Sequence, residues 1–527
     1  MSRWARAPED REQAVLFAER LDEAVPVGHA ARLLDEILAC IDWRGWEAKY
    51  HLRLGQPAIH PRVLASVLLY GLLTRIRSSR GLEEALQVRL DFRWLARGHR
   101  LDHTTLSEFR RRHPAELKDL FVQICRIAQD LGFLSLTRLA FDGTRVRANN
   151  RRRGTRTPEQ LRAEEAECAA KFAAYAGQAE AEDARQDEEA FAAAAALPGE
   201  LADVERRRAQ IAAALGELLR LEAAEQSPPP RLPLTDPQSR VMPNKEGGFA
   251  PNYTPTATVD VASGLIVEAT VLGVVNEDQQ LIPALDAVQR DFELPRPVAE
   301  VLADGLIGTG ANLAAAEERG VTVYSPCPLP DPARNPALRA DPRQPVAAEL
   351  WDQLPTQQVK VGGQPGRQLD KSAFVYDAEQ DCYWCPQGQP LPYANTTREK
   401  SGTGERIRRR YRAAAEACAA CPLRARCVQG RAASRQINRE QYEEHRQRHA
   451  ERMATPEAQA IYAQRRHAGE RPFAVIKHRF DLRRFLLRGL ERVQMEWHWA
   501  TSAFNLLQLI GLLRSRAGPA PKLETSP

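Results

Sequence analysis

An α/β fold built on a mixed five-stranded sheet, preceded by an all-α N-terminal domain, is predicted by three features of this sequence. Five short apolar or β-branched runs lie at TRLAFD, 257–261, 265–271, VAEVLADG and VTVYSP. Helical text separates the later runs, in DQQLIPALDAVQRDF and ANLAAAEERG, the second ending in the glycine that commonly closes a helix. From about 10 to 133, in contrast, apolar residues recur at helical spacing, as at Leu64, Val67, Leu68, Gly71 and Leu72, with almost no alternation. The order strand, insert, strand, strand, helix, strand, helix, strand gives a mixed sheet covered by helices. Two inserts interrupt it, one helical and acidic, the other rich in cysteine.

The expected organisation follows in chain order. Residues 1–135 form a helical N-terminal DNA-binding or dimerisation domain. Within it LDHTTLSEFRRRH reads as a short helix capped by Asp102 or Thr104, with Leu106 and Phe109 on one side and Arg110, Arg111, Arg112 and His113 on the other. Small polar residues at its start and a basic flank fit a helix-turn-helix reader, so the three arginines are candidate DNA contacts. Residues 136–150 hold the first part of the core. Residues 151–250 form an Ala/Glu/Arg-rich helical hairpin, divided at LPGE (197–200) and followed by a Pro-rich linker. Its low aromatic content predicts no core of its own. Residues 251–326 supply the second part of the core, with a hairpin turn at Ala-Ser-Gly. In 327–454 the pattern is lost among proline, glycine, cysteine and arginine. Helical text resumes at 455–515, the third part of the core, and 516–527 read as a disordered tail.

With 527 residues, more than one compact unit is expected, and 43% hydrophobic with 27% charged residues is ordinary for a soluble protein. The net charge of +5 hides an asymmetry. Residues 398–492 carry 24 Lys+Arg against 11 Asp+Glu, a net of +13, whereas 158–226 carry 7 against 16, a net of −9. A localised polyanion-binding face is implied, rather than a generally adhesive surface. The start MSRWARAPEDREQ lacks the apolar core of a signal peptide, and no apolar stretch is long enough to span a bilayer. Five of nine cysteines are clustered, which fits metal ligation in a reducing compartment. A cytoplasmic, nucleoid-associated protein is expected.

Three carboxylates carry the chemistry. Asp142 ends one β-type run and Asp304 another, where open α/β sheets place ligands, and the following Gly143 and Gly305 let the backbone turn away. Glu470 lies in YAQRRHAGERPFAVIKHRF. At about 100° per residue, Tyr462, Arg466, Glu470, Phe473 and Lys477 share one helical stripe unless Pro472 opens a new helix just after Glu470. Carboxylates from two strand ends and a helix form a site for two divalent ions that activate water and stabilise a leaving oxygen at a phosphodiester. Other acidic residues are set aside: Asp260 alternates with Val259 and Val261 towards solvent, and capping accounts for Asp278. Trp497 and Trp499 read as core, and Cys40, Cys125, Cys168 and Cys327 as small apolar fillers. The cluster Cys382-x2-Cys385 and Cys418-x2-Cys421-x5-Cys427 offers five thiols for the four places of a tetrahedral structural zinc.

FDGTRVRAN, DPQSRVM, NYTPTATVD, VLADGLIGTGANL and the spacing Y-x3-R-x3-E-x6-K resemble the DDE transposases of bacterial insertion sequences, most closely the insertion-sequence 5 and 1182 groups. The stretch HPRVLASVLLYGLLTRIRSSRGLEEAL with LDHTTLSEFRRRH is similar to that family's helical N-terminal domain. The resemblance implies an RNase H-like fold, with Asp142, Asp304 and Glu470 as the triad that binds Mg2+ or Mn2+. It implies that Tyr462, Arg466 and Lys477 contact DNA near the scissile phosphate. It also implies that zinc takes Cys385, Cys418, Cys421 and Cys427, with Cys382 as the alternative that strict knuckle symmetry would choose. The second motif departs from the family in lacking the aromatic that often follows its glycine. The expected activity is cutting at element ends and joining of 3′-hydroxyls to target DNA, without a covalent intermediate. Its partners are double-stranded DNA (terminal inverted repeats and target) and a second copy of the chain. The rival expectation is a catalytically silent DNA-binding protein or repressor derived from a transposase.

Overall fold

The computed structural model of the protein describes residues 20–50, 57–150, 154–183, 199–224, 229–244, 247–327, 334–361, 364–401, 404–428 and 430–516. Among these, no helix is long and apolar enough to cross a membrane. The tail expected at 516–527, from 517 on, and the first half of the turn expected at 197–200 lie outside the described residues.

The N-terminal block is helical: α1 (Ala30–Ala39), α2 (Pro61–Leu73), α3 (Ser79–Val88), α4 (His103–Arg112) and α5 (Pro114–Asp130). Helix α2 opens on Pro61, which lacks the N–H that a first turn leaves unsatisfied, and His60 caps it by accepting from the Arg62 N–H. Its residues from Val63 to Tyr70 are buried on every side, so it forms the centre of the block rather than an amphipathic cover. Asp102, not Thr104, caps α4 by accepting from the Thr105 N–H at 2.6 Å.

Strand β1 (Arg138–Gly143) leads to a hairpin of α6 (Pro158–Asp183) and α7 (Gly199–Ala223). This insert does have a core. Leu161, Cys168, Ile211, Ala214 and Leu218 close on Leu232 and Leu234. Aliphatic side chains and a cysteine fill the role for which aromatics are too scarce.

Strands β2 (Phe249–Asp260) and β3 (Ile266–Leu272), helix α8 (Leu281–Asp291), strand β4 (Glu300–Leu302), helix α9 (Gly310–Glu318) and strand β5 (Thr322–Tyr324) follow. The core order is β3-β2-β1-β4-β5, with β2 antiparallel to β1 and β3, and β1, β4 and β5 parallel. Short strands at Val146–Arg147 and Arg240–Pro243 pair with the first half of β2 and bring the sheet to seven strands among the described residues. Strand β2 therefore begins eight residues before the 257 expected from sequence. Pro255, which can donate no N–H to a ladder, lies just past the last β1 partner of β2, Thr256. Asp260 is also corrected. It is fully buried and accepts from Ser135 Oγ, the Leu136 N–H and both the N–H and Oγ of Ser263, so it organises the turn that closes the hairpin.

The proline-, cysteine- and arginine-rich segment, which shows no pattern in sequence, contains a five-stranded antiparallel sheet: β6 (Val375–Asp377), β7 (Cys382–Trp384), β8 (Pro390–Ser401), β9 (Gly404–Arg412) and β10 (Gln436–Glu440). Leu369, Phe374, Tyr383, Leu391, Tyr411, Leu423 and Ile437 build its separate core. Arginines around Ile407 and Tyr411 mask the alternation of β9. Helix α10 (Glu443–Met453) returns the chain to the main sheet. There His445 and Arg448 bind Glu317 of α9, and α9 begins at Gly310, where any Cβ would fall 2.7 Å from that of Tyr442. Helices α11 (Pro456–Ala463), α12 (Arg465–Ala474) and α13 (Leu490–Arg516) complete the chain. Trp497 and Trp499 of α13 are buried, and one continuous apolar core joins the N-terminal helices, one face of the sheet and α13.

Glu268 of β3 is enclosed in that structure, held by Thr258 Oγ1 and Thr270 Oγ1, and burial raises its pKa. A raised folded-state pKa means that its contribution to stability is complete below the ordinary glutamate value and is lost as pH rises through the folded value. The stability advantage of Glu268→Gln over wild type is therefore expected to grow from about pH 4 to pH 8. Denaturant unfolding of both proteins across that range checks it, and parallel pH curves would contradict it.

Candidate active site

The parallel pairing of β1 with β4 places Leu139 opposite Val301 and Ala140 opposite Leu302. Two residues further along each chain, past the last paired residues, come Asp142 and Asp304, near enough for their charges to interact. Ala140 and Leu302 face a cluster formed with Ala458, Tyr462 and Ala468 of α11 and α12. Side chains alternate along a strand, so both aspartates project to the face that those helices cover.

Helix α12 approaches closely. A Cβ on Gly469 would lie 3.4 Å from Asp142 Oδ2, and Arg465 one turn earlier puts Nη2 3.1 Å from Asp142 Oδ1. Glu470 is next in the helix and exposed. The Asp142 carboxylate also accepts its neighbour's N–H, that of Gly143, while Asp304 Oδ1 accepts the Leu306 N–H. Burial raises the pKa of Asp142. Arg465 opposes this, and the negative charges of Asp304 and Glu470 add to it. The three carboxylates picked from the sequence therefore share one electrostatic neighbourhood.

A fourth carboxylate joins them that the sequence does not single out. Glu277 lies against Gly143, so close that a Cβ there would meet Glu277 Oε1 at 3.1 Å. Burial raises its pKa, and Asp304 and Asp142 raise it further. Its neighbour Asp278 reads in sequence as a cap; Asp278 begins a short 3-10 turn instead, and no side chain caps that turn. Only the chain crossing identifies Glu277. The glycine after Asp142 offers a partial signal, because it leaves room for the fourth carboxylate.

The single stripe expected from Tyr462 to Lys477 does not form. Gln464 separates α11 from α12, Phe473 is buried against Trp497, and Arg466 is exposed. The interruption brings Arg465, not Arg466, to Asp142. Pro472 does not start a helix; it lies inside α12, and the chain then continues as a π-turn over Val475–Arg479. Such turns re-aim side chains. Here Lys477 reaches back to Thr144 Oγ1 and to the Arg145 carbonyl at 2.9 Å, gripping the loop after β1. Tyr462 is half-buried beside the site, and burial raises its phenol pKa.

Among the N-terminal arginines, Arg111 and Arg112 are exposed, and Arg112 pairs with Glu108. Arg110 turns inward instead, donating to the Arg77 carbonyl, and burial lowers its pKa. The loop after α2 reaches the π-turn that follows α12 and the residues beyond it. Arg75 donates to the carbonyls of His478 and Arg479, and Arg77 to those of Asp481 and Arg484 and to Glu496 of α13.

Four clustered cysteines, Cys385, Cys418, Cys421 and Cys427, line one small cavity with Leu369, Leu391 and Arg435. Cys385 Sγ accepts the N–H groups of Gln387 and Gln389, both at 3.3 Å. Burial pushes the Cys427 thiol up to about 12. Cys382 lies apart, on β7, where its charged neighbours are Asp377, Asp381 and Arg343. Cys40 is exposed rather than a filler, while Cys125 and Cys168 are buried as expected. Among the described residues, no group of three or more His, Cys, Asp or Glu is already arranged to hold a metal ion.

Two comparisons with known families bear on this arrangement. Residues 384–510 match the Transposase DDE domain, a stretch that includes Glu470 but neither aspartate. Residues 19–112 match the Transposase domain (DUF772), the N-terminal helical block. No curated protein matches the chain. The fold is a mixed α/β sheet behind a helical block, and the two matches support a DDE transposase, an enzyme class that transfers polynucleotide strands.

Arg77 and Glu496 form a buried pair, 13% and 8% exposed, between the N-terminal block and α13. Arg77→Met leaves Glu496 buried without its cation and is expected to cost about 3–5 kcal/mol. Chemical denaturation measures this, and Arg77→Met/Glu496→Leu should recover a large part of the loss.

Proposed function

We propose that this chain is the transposase of a bacterial insertion sequence, of the kind found in the 1182 and 5 groups, with an RNase H-like core. One observation supports this reading: beyond the parallel pairing of β1 with β4, Asp142 and Asp304 share one charged neighbourhood with Glu470 of the adjacent helix. Four carboxylates with one arginine among them make a site that favours a cation, and their oxygen donors suit Mg2+ or Mn2+. Asp142, Asp304 and Glu470 would hold the ions, and the exposed Glu470 has the freedom to turn inward. Bound there, the ions supply activation of water and stabilisation of the leaving oxygen.

The chain's own residues do the positioning. Arg465 orients Asp142, and Lys477 holds the loop that follows it. Tyr462 and Arg466 stand where DNA must approach, and Arg111 and Arg112 extend a basic flank towards it, whereas Arg110 supports their helix from inside. Cutting at terminal inverted repeats and joining of the freed 3′-hydroxyls to target DNA require two ends to be held together, hence a dimer on DNA in the cytoplasm. The four thiols around one cavity fit a structural zinc, with backbone N–H groups already directed at Cys385. Cys382 is the spare.

Nicking of a labelled element end in Mg2+ tests the activity. Asp142→Asn and Glu470→Gln are each expected to lower the rate by about two to three orders of magnitude while end binding persists. A wild-type protein that binds ends and never cuts with any divalent ion would establish the repressor reading instead. Elemental analysis tests the zinc: about one ion per chain is expected, absent from Cys385→Ser and Cys427→Ser and retained in Cys382→Ser. Retention in all three variants would overturn the assignment.

A further inference from the structure

The hairpin β8–β9 of the cysteine-rich segment presents a strongly basic face. Residues 390–412 carry seven Lys+Arg and two Asp+Glu, a net of +5, equal to the formal charge of the whole chain. Tyr411 and Ile437, paired across β9 and β10, are buried in the insert's core, so alternation sends Arg408, Arg410 and Arg412 to the opposite face. Their cross-strand neighbours there are polar: Asn395 and Thr397 on β8, and Gln436, Asn438 and the acidic Glu440 on β10. Beyond those pairings, among the described residues, β8 and β9 continue as a two-stranded ribbon, since β7 pairs only with Pro390, Leu391 and Pro392, and β10 only with Arg408 to Arg412.

The arginines differ in how they are engaged. Arg409, on the core side, is pinned by Asp381 and lies over the rings of Tyr393 and Tyr411, so its role is structural. Arg408 is shared between Glu399 at 3.0 Å and Glu440 at 3.8 Å. Arg412 is exposed and meets a neutral amide, Gln436 Oε1 at 3.3 Å, and among the described residues the half-buried Arg410 has a buried Nε with no hydrogen-bond partner. Alternate residues on an antiparallel strand are about 6.8 Å apart. That spans two axial steps of a nucleic-acid strand at about 3.4 Å each.

We infer that the outer face of β8–β9 is a second DNA surface, distinct from the carboxylate site, which grips the phosphate backbone of a duplex through Arg408, Arg410 and Arg412. The choice of duplex DNA rests on the transposase reading; the charge and spacing of the face do not. Arginine to phosphate contact without base-edge reading holds DNA of any sequence, as target DNA requires.

The full-length protein is titrated with a labelled duplex of random sequence over a range of salt, and with an RNA hairpin of equal length. In Arg408→Gln/Arg410→Gln/Arg412→Gln the slope of log affinity against log salt is expected to fall by about 2–3, near 0.9 for each phosphate that is no longer neutralised. The lysine triple variant should restore most of the slope. If the glutamine triple variant does not fold, Arg412→Gln alone, at an exposed position, should lower the slope by about 1. An unchanged slope, a wild type that does not bind the duplex, or a loss confined to RNA overturns the inference. End nicking separates the two readings. A variant that nicks ends normally with an unchanged slope leaves the transposase and removes the second surface. A wild type that never nicks, with a slope that falls in the variant, does the reverse.

Discussion

Three backbone pairings between β1 and β4 are the constraint on which the rest of the site depends. Asp142 and Asp304 are separated by an acidic helical insert, a hairpin and a helix, and the parallel pairing of the strands that precede them draws them together. A slip of one residue would turn one aspartate to the opposite face, because side chains alternate along a strand. The register is secured from both sides of the sheet. Leu139 and Val301 belong to the core shared with the N-terminal helices, and Ala140 and Leu302 to the cluster under α11 and α12. The small side chains of Ala140, Ala468 and Gly469 allow the helix to come near enough for Arg465 to reach Asp142.

Close approach concentrates negative charge, and the chain supports it with cations placed around the site. Arg465 meets Asp142 directly, while Lys477 grips the loop immediately after it. Further out, Arg75 and Arg77 bind carbonyls in and just after the π-turn, so the N-terminal block holds the segment that extends from Glu470. The all-α region and the sheet are thereby joined through hydrogen bonds as well as through one continuous apolar core. Like charges at Asp142, Asp304, Glu470 and Glu277 persist because packing over-determines their positions, a common cost of a functional site.

Much of this was legible in the sequence for identifiable reasons. The five core runs were visible because a sheet buried on both faces needs continuous apolar text, and Trp497 and Trp499 were recognisable as core from their helical surroundings. Asp142 and Asp304 stood out at the ends of such runs. Strands β8 and β9 were not visible, since their buried side chains are few and lie between arginines. Nor was Asp260 readable as buried, because its partners Ser135 and Ser263 come from two different turns. The helical stripe failed for a local reason: the break at Gln464 rotates α12 relative to α11, which exchanges Arg466 for Arg465.

By itself the sequence determined the order of elements, the two inserts, the basic character of the last third and the identity of three acidic candidates. These follow from local periodicity, composition and spacing, which neighbouring residues carry among themselves. Only the tertiary structure decided which groups meet. It brought Glu277 to Gly143 and Arg465 to Asp142, and it set four cysteines around one cavity with Cys382 outside. It also turned Arg110 inward and left Arg412 exposed. The physical reason is common to all of these. Contacts between residues far apart in the chain depend on strand register and helix phase, and a single residue's shift reverses the face of a strand side chain and turns a helical one by about 100°.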